Sequence, residues 1–160
     1  MTQVYVSVGS NQQARQHVPK ALDAISTEFS SVEQSPVYES VAVGFDGDNF
    51  INLVVGFNTE RSLNEIDRIL NLIEDSCGRT RGEERFTSRT MDLDLLIYGD
   101  MVCHDDHWDI PRQEITQNAF VLRPLAEVAP DYRHPELGVS FLQLWQQGDF
   151  SDQDLWKIEL

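Results

Sequence analysis

The 160-residue chain is poor in lysine and in basic charge overall. Its only lysines are Lys20 and Lys157, and 12 basic side chains face 27 acidic ones, a formal charge of −15. A surface of this charge repels nucleic-acid backbones and anionic lipid, so neither is expected as a partner. The sequence also has no G-x-x-x-x-G-K-[ST] loop, which excludes a P-loop nucleotide enzyme.

Cysteine and long apolar runs are scarce as well. Cys77 and Cys103 lack the C-x-x-C spacing of zinc or redox sites, so we expect reduced structural thiols. The start of the chain has no signal-peptide pattern, and no apolar run approaches the roughly 18 residues of a membrane span. These absences predict a soluble, cytoplasmic protein, which we expect to be a monomer. At roughly 150 residues per domain, the length predicts a single domain over residues 1–160.

Hydrophobic patterning predicts an α+β fold. It indicates strands at 4–8, 50–59 and 92–98, a weakly patterned extended stretch at 31–38, and a glycine-rich loop at 39–49. Helices are predicted at 18–29 with Pro19 in the first turn, from a capping box at 62–65 to Cys77-Gly78, at 119–128, and at 140–147. This order matches the ferredoxin-like βαββαβ plan: a mainly antiparallel sheet with helices on its faces and extra C-terminal helices.

An arginine cluster interrupts this acidic chain. Four of the 12 basic residues, Arg79, Arg81, Arg85 and Arg89, fall within an 11-residue span. Guanidinium groups form paired, charge-assisted bonds to phosphate oxygens, so the cluster can clamp a polyphosphate. Pairing with nearby surface carboxylates explains the cluster equally well.

Two aspartates follow the cluster at once. Strand periodicity puts Asp92 and Asp94 on one face, continued by Leu96 and Tyr98, with Leu93, Leu95 and Ile97 on the other. Side chains two positions apart on a strand stand roughly 6 to 7 Å apart, a spacing that carboxylates can close around divalent cations. The alternative is two exposed aspartates that begin an edge strand. Joined to the arginine cluster, the pair favours a magnesium-dependent phosphoryl-type transferase.

The run His104-Asp105-Asp106-His107 is a weaker candidate metal site. It follows a predicted hairpin turn, and we interpret it as a solvated connection. Cys103 and His104 are adjacent on an extended chain and point to opposite faces, so they do not predict a nucleophile and its base.

The run from Arg85 to Leu96 resembles the signature of the 6-hydroxymethyl-7,8-dihydropterin pyrophosphokinase family. The resemblance extends through most of the chain. Val6 to Asn11 is similar to the family's first strand and Gly-Ser-Asn turn, and Phe50-Ile51-Asn52 to its aromatic-x-Asn at the pterin pocket. Phe120 to Pro130 resembles a later helix of the family.

The resemblance implies transfer of the diphosphoryl group of ATP to hydroxymethyldihydropterin for folate biosynthesis, with two Mg2+ ions. It implies that Asp92 and Asp94 bind the metals and, with Arg79 and Arg89, form the catalytic set. For ATP it implies contacts from Asn71, Glu74, Arg79, Arg81, Arg85, Arg89, Ile110, Arg112 and Gln113, with Phe86 on a closing loop. For the pterin it implies contacts from Ser40, Val41, Val43, Phe50, Asn52, Asp92 and Phe120.

The chain also departs from the family pattern. Phe86, Thr87 and Ser88 stand where the family prefers Trp, Gly or Ala, and Pro; Arg112 replaces a histidine, and Asn118 replaces a basic residue. These departures leave a second hypothesis open, a divergent paralogue that binds pterin with little or no transfer. A third is an α+β interaction module without a small-molecule site.

Overall fold

The computed structural model describes residues 1–41, 48–77 and 91–160. Four helices and one 3-10 helix lie in these ranges: α1 Ala14–Glu28, α2 Leu63–Ser76, the 3-10 helix Gln113–Thr116, α3 Ala119–Val128 and α4 Phe141–Gln147. The strands there are β1 Thr2–Ser10, β2 Glu33–Gln34, β3 Val37–Ser40, β4 Phe50–Thr59, β5 Asp92–Tyr98, β6 Cys103–His104, β7 Asp109–Ile110 and β8 Leu155–Ile158.

An antiparallel sheet forms the centre of the fold. Its strand order is β5-β1-β4-β3-β8, with β2 also paired to β4, and β6 and β7 form a separate hairpin. The predicted α+β, ferredoxin-like βαββαβ plan is therefore confirmed. The C-terminal strand β8 is an addition that the patterning did not predict, because Leu155–Ile158 has only four residues and no clear alternation.

Helices cover both faces of the sheet. On one face Val4, Val6 and Val8 of β1 share an apolar cluster with the buried sides of α1 and α2. On the other face Tyr5 of β1 and Val54 of β4 share a second cluster with α3 and the start of α4. Because β1 and β4 are buried on both faces, their sequences are nearly continuous runs of apolar side chains.

A β-bulge changes the predicted alternation of β5. Tyr5 pairs with Ile97 but Val6 pairs with Leu95, so Leu96 is an extra residue opposite β1. Asp92, Asp94 and Leu96 share the predicted face. Beyond the bulge the prediction was wrong: Ile97 joins Leu96 in the α3 cluster, and Tyr98 packs with the α1 and α2 cluster.

Two helix starts follow their local signals, and one does not. Ser62 and Glu65 form the predicted capping box of α2, and Ser140 forms another with Gln143 at α4. The exception is α1, which begins at Ala14, so Pro19 lies in its second turn rather than its first. The helix starts after Gln13, whose backbone is in the left-handed conformation and whose side chain forms no cap. The sequence therefore has no capping motif that predicts this start.

Both cysteines are unpaired, as the sequence predicted. Within residues 1–41, 48–77 and 91–160, no helix has both the length and the apolar character that a membrane crossing needs.

Candidate active site

One row of the sheet places four side-chain positions together beneath α3. The register pairs Tyr38 with Asn52, Asn52 with Gly9, and Gly9 with Asp92. Directly opposed residues of an antiparallel sheet face the same side. The Tyr38 hydroxyl donates a hydrogen bond to the carboxylate of Glu127 on α3, which identifies that side as the α3 face. The row therefore crosses four strands on the face that α3 covers.

Glycine at position 9 leaves space for the amide of Asn52. A Cβ at Gly9 would lie 2.7 Å from Oδ1 of Asn52, closer than side-chain carbons approach other atoms. Asn52 is 4% exposed, and its amide lies beside the β1 backbone. An amide presents both a donor and an acceptor, which suits the polar edge of a flat heterocycle.

The second row of the same face brings a carboxylate beside a guanidinium group. Asp94 pairs with the buried Ser7, and its Oδ1 lies 3.7 Å from Nη2 of Arg112. Loss of water around Asp94 raises its pKa to about 7, against the opposing effect of Arg112 and with a further rise from Asp92. The charge of Asp92 thus adds to the cost of ionising Asp94.

A divalent cation fits this donor set. Carboxylate oxygens are the ligands that Mg2+ prefers, and the ion usually keeps several waters and substrate phosphate oxygens as its other ligands. In the described part of the chain, no three His, Cys, Asp or Glu side chains are arranged to hold a metal ion.

Arg112 lies between the sheet edge and the 3-10 helix. Its backbone N–H donates to the Leu96 carbonyl (3.0 Å), which docks residue 112 on β5, and its Nη2 donates to Oε1 of Glu114 (3.0 Å). Its Nε is buried without a hydrogen-bond partner among the described residues. The Arg112 side chain as a whole is 30% exposed, so the accessible part of its guanidinium group can bind an anionic oxygen.

Glu74 contributes to the site by positioning β5. It lies on α2 with 4% exposure, and its Oε2 accepts a hydrogen bond from the backbone N–H of Leu93 at 2.8 Å. Strand β5 is at the edge of the sheet, where backbone donors otherwise lack partners. Glu74 thereby fixes the residue between Asp92 and Asp94, a role that the sequence did not predict.

Replacement of Glu74 should weaken the fold in a way that depends on its acceptor oxygen. We expect Glu74→Ala to lower the free energy of unfolding by about 1–3 kcal/mol, because the Leu93 N–H loses its partner. Glu74→Gln keeps a carbonyl acceptor and should lose less. Urea denaturation measures both. An equal loss in the two variants would contradict the assignment of this bond.

A cluster of polar and aromatic side chains lies at the Tyr38 end of the row. The guanidinium carbon of Arg123 lies 5.1 Å from the centre of the Tyr38 ring and 5.6 Å from that of Trp145. Arg123 and Glu127 are four residues apart on α3, so both reach Tyr38 from one side of the helix. The sequence did not predict this cluster, since it joins residues about 85 positions apart.

The other residues implied by the resemblance differ in how far they are exposed to solvent. Ser40 is buried opposite Phe50, which is half-buried, and Phe120 is half-buried in the first turn of α3. Val41, which follows β3, is 58% exposed. Ile110 is 1% exposed, so its side chain is enclosed in the protein. Asn71 is half-buried on α2 one turn before Glu74, and Gln113 is exposed.

Several predicted residues lie outside the described ranges, and their roles stay predictions. These are Val43, Arg79, Arg81, Arg85, Phe86 and Arg89, together with Thr87 and Ser88, where the chain departs from the family pattern.

Comparison with known proteins assigns the chain to a family. Residues 5–130 match the model of the 7,8-dihydro-6-hydroxymethylpterin-pyrophosphokinase (HPPK) family. The chain is 36% identical over 137 residues to the 2-amino-4-hydroxy-6-hydroxymethyldihydropteridine pyrophosphokinase of Pseudomonas aeruginosa, covering 83% of this chain and 84% of that one. It is 33% identical over 162 residues to the Haemophilus influenzae protein of the same name, covering 99% of each.

A solved structure shares the fold at much lower identity. Plasmodium falciparum HPPK-DHPS superimposes with a TM-score of 0.70 at 13% identity over 92% of this chain. The superimposed chain spans 43% of that longer protein, so this likeness bears on the fold alone. The family match over most of the sequence, together with relatives above 30% identity, shows that the chain belongs to the 6-hydroxymethyl-7,8-dihydropterin pyrophosphokinase family.

Proposed function

We propose that this chain transfers the diphosphoryl group of ATP to the hydroxymethyl oxygen of 6-hydroxymethyl-7,8-dihydropterin, giving AMP and the pterin diphosphate for folate biosynthesis. Membership of the family supplies the reaction class. The observation that carries the proposal is the sheet face on which Asn52, Gly9 and Asp92 form one row and Asp94 lies beside Arg112.

The pterin side of the site uses shape and an amide. Asn52 offers a donor and an acceptor to the heterocycle edge, and Gly9 leaves the space in which its amide stands. Phe120, half-buried at the start of α3, offers an aromatic face for the flat ring. Ser40 and Phe50 form the neighbouring positions, and Val41 and Val43 extend them.

The phosphate side uses charge. Asp92 and Asp94 would hold two Mg2+ ions, which supply neutralisation of the polyphosphate charge. Arg112 lies beside Asp94 with a partly exposed guanidinium group, which can bind a phosphate oxygen. Asn71, Ile110 and Gln113 lie on segments near this edge, and the arginines at 79, 81, 85 and 89 would complete the anion clamp.

The transfer needs positioning more than covalent catalysis. The pterin oxygen forms a bond to the β-phosphorus of ATP, the bond from that phosphorus to the α,β-bridging oxygen breaks, and AMP leaves. The pterin hydroxyl proton passes to solvent. Alignment of the two oxygens on either side of the phosphorus, with fixed charges around them, lowers the barrier.

We also propose that the chain acts as a single cytoplasmic domain and a monomer. The high net negative charge opposes self-association and nucleic-acid binding. The curated relatives described above carry the names of enzymes, and nothing in the comparisons favours an inactive paralogue.

Product analysis tests the function directly. Purified protein is incubated with magnesium, ATP and the reduced hydroxymethylpterin, and AMP, ADP and pterin products are separated by chromatography. Pterin-dependent AMP with a diphosphorylated pterin is expected. ADP instead of AMP would indicate a different kinase, and pterin binding without nucleotide turnover would support the inactive paralogue.

A further inference from the structure

Outside the proposed site, one histidine of the β6–β7 hairpin is held between two carboxylates. Nδ1 of His104 lies 2.7 Å from Oδ1 of Asp109, and its Nε2 lies 2.6 Å from Oε1 of Glu136. Ionised carboxylates only accept hydrogen bonds, so both contacts are satisfied together only when both ring nitrogens carry hydrogens. The arrangement therefore selects the imidazolium form, within a run that is exposed to solvent as the sequence predicted.

Glu136 is the fixed end of this bridge. The buried His134 uses Nδ1 to accept hydrogen bonds from the backbone N–H groups of Glu136 and Leu137, each at 3.2 Å. Its carbonyl accepts from the N–H of Gly138 at 2.8 Å, which closes the turn. Burial lowers the pKa of His134, so it stays a neutral acceptor while His104 is charged.

Asp109 is the end that leads to the proposed site. Its Oδ1 contacts His104, and its Oδ2 accepts a hydrogen bond from the backbone N–H of Gln113 at 3.1 Å. This hydrogen bond joins the two ends of segment 109–113, which contains Arg112. That segment is also docked by the Arg112 N–H on the Leu96 carbonyl and by the buried Ile110. Asp109 is therefore connected through the 109–113 backbone to Arg112, whose Nη2 lies 3.7 Å from Oδ1 of Asp94.

We propose that the Asp109–His104–Glu136 bridge is a positioning device for Arg112, and that its protonation sets how tightly the protein holds ATP. The inference rests on the proposed function for the identity of the nucleotide. His104 is a positioning residue that touches neither substrate nor metal; it acts through Asp109 and the 109–113 segment.

The sign of the pH effect follows from the groups around His104. Glu136, first, and Asp109 raise the pKa of His104 above its ordinary value, and His134 is the other titratable group coupled to it. Asp105, in the same hairpin, is occupied by the N–H groups of His107 and Trp108 and by Sγ of Cys103. The stabilisation that the bridge provides is fully present below the pKa of His104 in the unfolded chain. It is lost as pH rises through the raised pKa of His104 in the folded protein.

Steady-state kinetics with two matched variants tests the proposal. In the parent, KM for ATP should rise roughly five- to ten-fold as pH increases through the His104 titration, with a smaller change in kcat. His104→Gln, whose amide has one donor and one acceptor group, should show the raised KM at every pH. His107→Gln is the control, because the His107 side chain has no hydrogen bond among the described residues. It should keep the parent profile.

A second measurement does not depend on turnover. In NMR spectra of the ring nitrogens, His104 should carry two protons at neutral pH, and Glu136→Gln should lower its pKa. If His104 lacks the second proton, the bridge is wrong. If the bridge is present but His104→Gln lowers only the melting temperature and leaves the pH profile of KM unchanged, the positioning role is wrong. If the parent neither turns over nor binds ATP, the proposed function fails instead, and the NMR result still decides the bridge.

Discussion

Asp94→Asn should abolish diphosphoryl transfer while the chain still folds. Asparagine keeps the size and one oxygen of the side chain but removes the charge that would bind the cation. Loss of a group that stabilises developing charge commonly costs 10²- to 10³-fold in kcat, and we expect at least about 10²-fold here. Burial raises the pKa of Asp94 to about 7, so the ionised carboxylate is disfavoured without a cation, and the neutral amide should not lower the melting temperature.

The magnesium dependence of thermal stability separates a metal role from a packing role. Magnesium and ATP together should raise the melting temperature of the parent, as any ligand that binds only the folded state does, and should not raise that of Asp94→Asn. Asp100→Asn, an exposed position just after β5, is the control for loss of one acidic charge and should behave as the parent. Parent-like turnover in Asp94→Asn would show that the metal assignment is wrong.

The elements that sequence patterning predicted best are the long and strongly patterned ones. Strands Phe50–Thr59 and Asp92–Tyr98 and helix Ala119–Val128 have the predicted bounds. Burial of one face gives the helix a 3.6-residue apolar period, and burial of both faces gives β4 a continuous apolar run. The shared face of Asp92 and Asp94 was likewise predictable, because alternation over three residues needs no knowledge of the partner strand.

Features that depend on distant partners were not predictable. The bulge at Leu96 depends on how β5 pairs with β1, and β8 depends on an edge that β3 leaves open. The acceptor role of Glu74 and the bridge at His104 join side chains that are 19 and 32 positions from their partners. No local signal in the sequence specifies such contacts.

Gly9→Ala should weaken pterin binding far more than it weakens the fold. The added Cβ would lie 2.7 Å from Oδ1 of Asn52, and that oxygen is at the far end of a side chain that can rotate away. The backbone of β1 can therefore stay in place while the amide leaves its position. We expect KM for the pterin to rise by at least about tenfold, the effect of losing one or two hydrogen bonds to the ligand, with KM for ATP little changed.

A double-mutant cycle with Asn52→Ala tests whether Gly9 acts through Asn52. If the only effect of Gly9→Ala is to displace the amide, the double variant should bind pterin no more weakly than Asn52→Ala alone, a strongly non-additive result. Calorimetric titration with the pterin measures each corner of the cycle, and urea denaturation checks that every variant folds. Additive losses would mean that position 9 contacts the ligand itself, because a Cβ there would then exclude the pterin from space that only the β1 backbone borders. The cycle thus distinguishes a glycine that makes room for a neighbouring side chain from one that makes room for the substrate.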